Sequence, residues 1–192
     1  MIWCLILFHL LFFRRFYFID PFCYATSEPL ELEFPAGRYL GEQLRQGKIP
    51  LDDPYHFPHY ASHPILSTFY PPHMLISVIQ SMLPLNLAWL LHSWLSVLHF
   101  LFASIGAYLL FSVYGDPWLA FLGAITLAHM GYACKQNAPI IYTLAWAPWL
   151  LWAAETHQVG LFGLSLGMGI LAGYWPVWIT VVPFACLFWL LR

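Results

Sequence analysis

Charge is what this chain has least of. Lysine, arginine, aspartate and glutamate together make up 8% of its 192 residues, against 61% hydrophobic and 19% aromatic. A water-soluble domain carries about 25% charged residues. Seven basic and nine acidic side chains do not cover such an exterior, so the composition predicts an integral membrane protein. The formal net charge is −2. No cluster of lysine and arginine stands ready to neutralise phosphates, which excludes a nucleic-acid partner. Cysteine is scarce as well. Cys4, Cys23, Cys134 and Cys186 form no C-x-x-C pair and no zinc-ligand spacing. They read as small hydrophobes, with a Cys23–Cys134 disulfide open to the chain only on an oxidising face. Internal repeats, low-complexity tracts and a soluble domain are also lacking.

Only one apolar run is long. Residues 85–111 contain no charge, and as a helix the run spans about 40 Å, enough to cross a bilayer. Shorter apolar segments follow at 117–132, 138–153, 159–173 and 175–191, and another stands at 2–19, where Arg14 and Arg15 snorkel toward an interface. Asp116 and Pro117 read as the cap and first turn of their helix. Pro148 and Pro183 fall inside apolar segments, as membrane helices tolerate. The expectation is an all-α transmembrane bundle of about six spans in one membrane domain, with a first helix at 2–19, a polar extramembrane loop at 25–73 and hydrophobic helices at 74–192. Gly163-xxx-Gly167 and Gly169-xxx-Gly173 allow close helix contact.

Polar chemistry is gathered in the loop. Glu28, Glu31, Glu33, Arg38, Glu42, Arg45, Lys48, Asp52 and Asp53 all lie in it, together with His56, His59, His63 and His73. Its prolines forbid a long helix. Residues 36–46 are free of proline and place Arg38, Glu42 and Arg45 at helical spacing, which predicts a short amphipathic helix on the membrane surface. Residues 73–83 predict a second short helix, interfacial or re-entrant. A carboxylate at an interface has its pKa raised by desolvation and suits a general base; Glu28, Glu31 and Glu33 are so placed, with Asp20 the alternative, whereas Asp52 and Asp53 read as turn caps. The histidines have H-x-x-H and H-x-x-x-H spacing, but the prolines among them break the helix that would align them on a metal. His129, the mid-membrane histidine, reads as packing or interhelical hydrogen bonding rather than haem ligation. Arg38, Arg45, Lys48 and Lys135 are the groups able to meet a lipid phosphate. Counting crossings puts Lys135 and Tyr174 on the side of the polar loop.

The order of short phrases along the chain resembles the bacterial YfhO-type membrane proteins, which belong with the GT-C-fold glycosyltransferases. The phrases are residues 47–57, Phe69-Tyr70-Pro71-Pro72, His99 to Leu110 with Gly106 and Tyr108, His129-Met130-Gly131, Ala145-Trp146-Ala147-Pro148 and Gly173-Tyr174-Trp175-Pro176. The resemblance implies an enzyme of the bacterial inner membrane that moves a sugar from a polyprenyl-phosphate carrier to a cell-envelope acceptor, with the polar loop extracytoplasmic. It implies Glu31 or Glu33 as the base, where the family has aspartate. It further implies that Arg38, Arg45, Lys48, Tyr55, His56, Tyr70, Lys135 and Tyr174 contact substrate or lipid phosphate, and that a divalent metal can steady the leaving group. The family's later helices have no counterpart, so the chain is expected to be the N-terminal part of a larger protein, inactive alone. Two other classes fit the same composition: a transport or channel component with the loop as its lid, and a non-catalytic assembly subunit.

Overall fold

A computed structural model of the chain describes residues 1–20, 34–50, 67–129 and 138–191. Among these residues every regular element is a helix and no strand occurs, so the protein is all-α. The helices are α1 (Ile2–Phe12), α2 (Arg14–Phe18), α3 (Phe34–Arg45), α4 (Pro71–Gln80), α5 (Leu85–Ser112), α6 (Pro117–His129), α7 (Ala138–Glu155), α8 (Val159–Leu171) and α9 (Trp175–Leu191). They fall into two compact units, one of Arg15–Ser96 and one of Met1–Arg14 with Val97–Arg192. Among the described residues α5 is the one helix long and apolar enough to cross a membrane, while α1, α6, α8 and residues 176–191 of α9 are shorter apolar helices.

In the Arg15–Ser96 unit, α3 packs on α4. One face of α3 is buried through Phe34, Ala36, Gly37, Leu40 and Gly41, while Glu42 and Arg45 remain exposed. This is the amphipathic pattern that the sequence spacing predicts, begun two residues earlier. Phe34 is wedged edge-on against Trp89, with ring centroids 5.3 Å apart, and packs with Ala88 and Leu83. Further along, α3 comes so close to α4 that a Cβ on Gly41 would fall on the Ser77 carbonyl; only glycine permits backbone to meet backbone there. α4 starts from an extended Tyr70, with Pro71 and Pro72 in its first turn, where their missing amides leave no helical bond unmade. Its last residue, Gln80, donates from Nε2 to the Ala88 carbonyl at 3.0 Å, fastening the end of α4 to the start of α5.

In the other unit, α1 lies on α6, and Leu5, Ala107 and Ala124 form a small core. α6 is capped as its sequence predicts: Asp116 Oδ1 accepts from the amides of Trp118 at 2.7 Å and Leu119 at 3.3 Å. α7 packs on both α8 and α9. Pro148 and Pro183 sit inside α7 and α9. The Trp149 indole covers Gly106 and donates from Nε1 to the Phe102 carbonyl at 3.0 Å. Tight turns close the helix pairs, with His157 (φ 53°) and Gly173 (φ 95°) in the left-handed region.

Two differences from the sequence reading have physical causes. The segment 2–19 is not one helix, because Phe13 leaves helical geometry at φ −93° and ψ 21°. The break buries Phe13 and Phe16 while Arg14 and Arg15 stay exposed. The glycines of α8 also divide in role: Gly169 lies under the Trp178 ring, whereas a Cβ on Gly160, Gly163 or Gly167 would meet nothing within 4 Å.

Candidate functional site

A buried polar cluster lies between α3, α4 and the start of α5. His73, Ser77 and Gln80 occupy one face of α4, at i, i+4 and i+7, and all three are buried. They look onto Gly37 of α3: its Cβ position is 3.4 Å from Gln80 Oε1, 3.4 Å from His73 Nε2 and 3.6 Å from Ser77 Oγ. The Gln80 amide is oriented by its bond to Ala88, which fixes Nε2 as the donor on that side and turns Oε1 toward α3. His73 Nδ1 lies 3.1 Å from the Ser67 carbonyl. A carbonyl only accepts, so Nδ1 carries the proton and Nε2 presents a lone pair.

Burial holds the His73 imidazole below its ordinary pKa of 6.5, with the Ser67 carbonyl acting in the opposite sense. The folded state thus takes up a proton less readily than the unfolded chain. His73 stabilises the fold fully above about pH 6.5, and that contribution is lost as pH falls toward the lowered folded value. Urea or SDS titrations between pH 7.5 and 5 are expected to show stability falling with acidification. His73→Asn, whose amide can still donate to Ser67, is expected to flatten that slope.

Arg38 is half-buried, and its guanidinium donates from Nη1 to the Leu83 carbonyl at 3.1 Å, closing the turn between α4 and α5. Arg45 and Lys48 are exposed near the end of α3 and beyond it, and Tyr70 is 1% exposed at the head of α4. Four of the sequence-predicted groups, Arg38, Arg45, Lys48 and Tyr70, thus belong to this one unit. Tyr174 belongs to the other unit, where its backbone amide donates to Thr143 Oγ1 at 3.2 Å. Glu31, Glu33, Tyr55, His56 and Lys135 lie outside the described residues, as do Glu28, His59, His63, Cys23 and Cys134. Ser77 and Gln80 were not singled out by sequence. Their signal was the shared face with His73 opposite two glycines four residues apart, Gly37 and Gly41.

A second cluster surrounds His129. His9 Nδ1 on α1 and His129 Nε2 on α6 approach to 3.4 Å, one donating to the other according to tautomer. The rings of Phe8, Phe12 and Phe13 stand 5.2, 4.9 and 5.9 Å from the His129 ring. His9, which the sequence reading did not pair with it, is the second histidine. Among the described residues no group of three or more histidine, cysteine, aspartate or glutamate side chains is placed to hold a metal ion. Cys4 and Cys186 are free and exposed. An apolar crevice of about 360 Å³ between α8 and α9 is lined by Val159, Phe162, Cys186, Trp189 and Leu190.

No protein-family model, no curated protein and no solved structure matches the chain.

Proposed function

We propose that the chain is a polytopic membrane protein of GT-C-like type that passes a sugar from a polyprenyl-phosphate carrier to an acceptor in the bacterial cell envelope. In this reading the α1–α2 segment and α5 to α9 make about six spans, and α3 and α4 lie at the outer surface of the inner membrane. The observation that carries it is the serial order of the six phrases from Gly47 to Pro176, set beside a polar loop in an otherwise almost uncharged chain. Large apolar side chains facing outward support the membrane setting: Trp3 and Leu190 are each 81% exposed, and Ile179 is 74%. Such surface is costly in water and ordinary in lipid.

Glu31 or Glu33 acts as the base on the acceptor hydroxyl, while Arg38, Arg45, Lys48 and Lys135 draw the lipid phosphate and Tyr55, His56, Tyr70 and Tyr174 contact substrate. A divalent metal would add charge stabilisation at the leaving phosphate. Replacing Glu31 and Glu33 together by glutamine is expected to lower transfer of radiolabelled sugar from its polyprenyl phosphate by about 100-fold or more. Unchanged transfer removes the base, and an unaltered envelope-glycan profile in a deletion strain removes the reading.

A second reading, a non-catalytic assembly subunit, is favoured by the open Gly160, Gly163 and Gly167 positions on α8, where another helix can approach closely. Loss of a co-purifying membrane complex on Gly167→Leu, with glycans unchanged, would decide for it.

A further inference from the structure

We infer that α4 is the part of the Arg15–Ser96 unit that enters the bilayer, its outer ridge of Leu75, Ile79 and Met82 lying among lipid acyl chains while α3 stays in water. This rests on the membrane setting proposed above and not on sugar transfer. α4 is built inside out. The residues it buries, His73, Ser77 and Gln80, are polar, whereas it exposes Leu75 at 63% and Ile79 at 37%, with Met82 at 64% just beyond its end. Leu75 and Ile79 each stand two residues after a buried polar one, about 200° around the helix and so on the opposite face. A surface helix in water has the reverse arrangement.

Hydrocarbon rewards this pattern and water does not. The polar face meets backbone of its own unit, with His73 Nδ1 at 3.1 Å from the Ser67 carbonyl and Gln80 Nε2 at 3.0 Å from the Ala88 carbonyl, which keeps those groups from lipid. α3 cannot make the membrane contact that its amphipathic spacing predicts. Its apolar Phe34, Ala36 and Leu40 are buried, and what it exposes is Glu42 and Arg45. Apolar exposure instead carries on past Met82 to Leu85, at 66%, and Leu87, at 45%, in the first turn of α5, the helix long and apolar enough to cross a membrane. A strip that leads into a span has lipid as its occupant.

Spin labels on single cysteines test this in the full chain, with Cys4, Cys23, Cys134 and Cys186 replaced by alanine and the protein reconstituted into phosphatidylethanolamine–phosphatidylglycerol vesicles. Oxygen concentrates among acyl chains, and a nickel chelate stays in water. Labels at Leu75→Cys, Ile79→Cys and Met82→Cys are expected to collide more with oxygen than with the chelate, and labels at Glu42→Cys and Gln46→Cys, both exposed, to do the opposite. Leu98→Cys on α5, 45% exposed, reports separately whether the chain spans the membrane. Chelate contact at 75, 79 and 82 with Leu98 in lipid overturns the inference and leaves the membrane reading standing; chelate contact at all four ends both. Protection of the three ridge positions from both reagents also overturns it, because protein then covers the ridge. As a second measure, Leu75→Glu with Met82→Glu is expected to lower the folding equilibrium constant in vesicles about tenfold or more. A loss of about twofold or less, the usual cost of an exposed change in water, overturns the inference.

Discussion

Gly41→Ala is expected to pull α3 away from α4 and to cost about 3 kcal/mol or more of stability, at the upper end of what overpacking does. The reason is the kind of atom that the new methyl meets. A Cβ at Gly41 lands on the Ser77 carbonyl, and that carbonyl is itself held at 3.0 Å by the Ser81 amide in the last turn of α4. A side chain could rotate aside; a carbonyl locked in a helical ladder cannot, so one helix has to move. Limited trypsin digestion reads the result. Arg38, half-buried and bonded to Leu83 in the wild type, is expected to become as readily cut as exposed Arg45. Gly47→Ala serves as the control: Gly47 has φ 72° and nothing within 4 Å of its Cβ position, so its cost is only the backbone strain, about 1–2 kcal/mol. If Gly41→Ala proves no worse than Gly47→Ala, the close approach of the two backbones is wrong.

The second large effect is expected on α8. At Gly169 a Cβ would fall within the Trp178 ring, and Trp178 is 3% exposed, so the indole has little room to retreat. Gly169→Ala is expected to destabilise the α8–α9 pair by about 2–3 kcal/mol. Here the obstructing atoms belong to a side chain, and relief is possible. Trp178→Leu, damaging alone through the cavity it leaves, is expected to be less damaging in the presence of Gly169→Ala than in its absence. A double-mutant cycle followed by loss of helical circular dichroism in SDS measures that coupling. Additive losses would mean that the ring does not rest on the glycine.

The contrast between the two glycines bears on what a sequence discloses. Helices announced themselves locally. The helix that begins at Leu85 ends at Ser112, one residue beyond the expected limit of the apolar run, and Asp116 before Pro117 caps α6 with the geometry that its residue types require. The Pro71-Pro72 pair lies at the start of α4 because proline suits a first turn. The break at Phe13 was not legible, since nothing in Phe12-Phe13-Arg14-Arg15 forbids a helix and the cause is which rings become buried. The polar face of α4 was half legible. His73 drew notice by type, whereas Ser77 and Gln80 acquire meaning only from the glycines of a helix thirty-odd residues earlier in the chain. The glycines of α8 show that spacing alone does not choose the contact: of the two pairs that allow one, Gly169 lies under the Trp178 ring, whereas Gly163 and Gly167 meet nothing within 4 Å among the described residues. Of the residues assigned to chemistry, Arg38 was legible as a cation but not as the group that closes the α4–α5 turn, because a guanidinium's partner is chosen by the fold.

The indole of Trp149 over Gly106 has a consequence for the timing of backbone exchange. In a regular helix the Phe102 carbonyl already receives the Gly106 amide, and the indole N–H at 3.0 Å makes it a shared acceptor. Sharing weakens each of the two bonds to it, so α5 carries a slackened rung at Gly106, as the serine hydroxyls of Ser96 and Ser104 share the His92 and Phe100 carbonyls elsewhere along it. In deuterium-exchange measurements the Gly106 amide should therefore label ahead of its neighbours at 105 and 107, and Trp149→Phe should slow it to their pace.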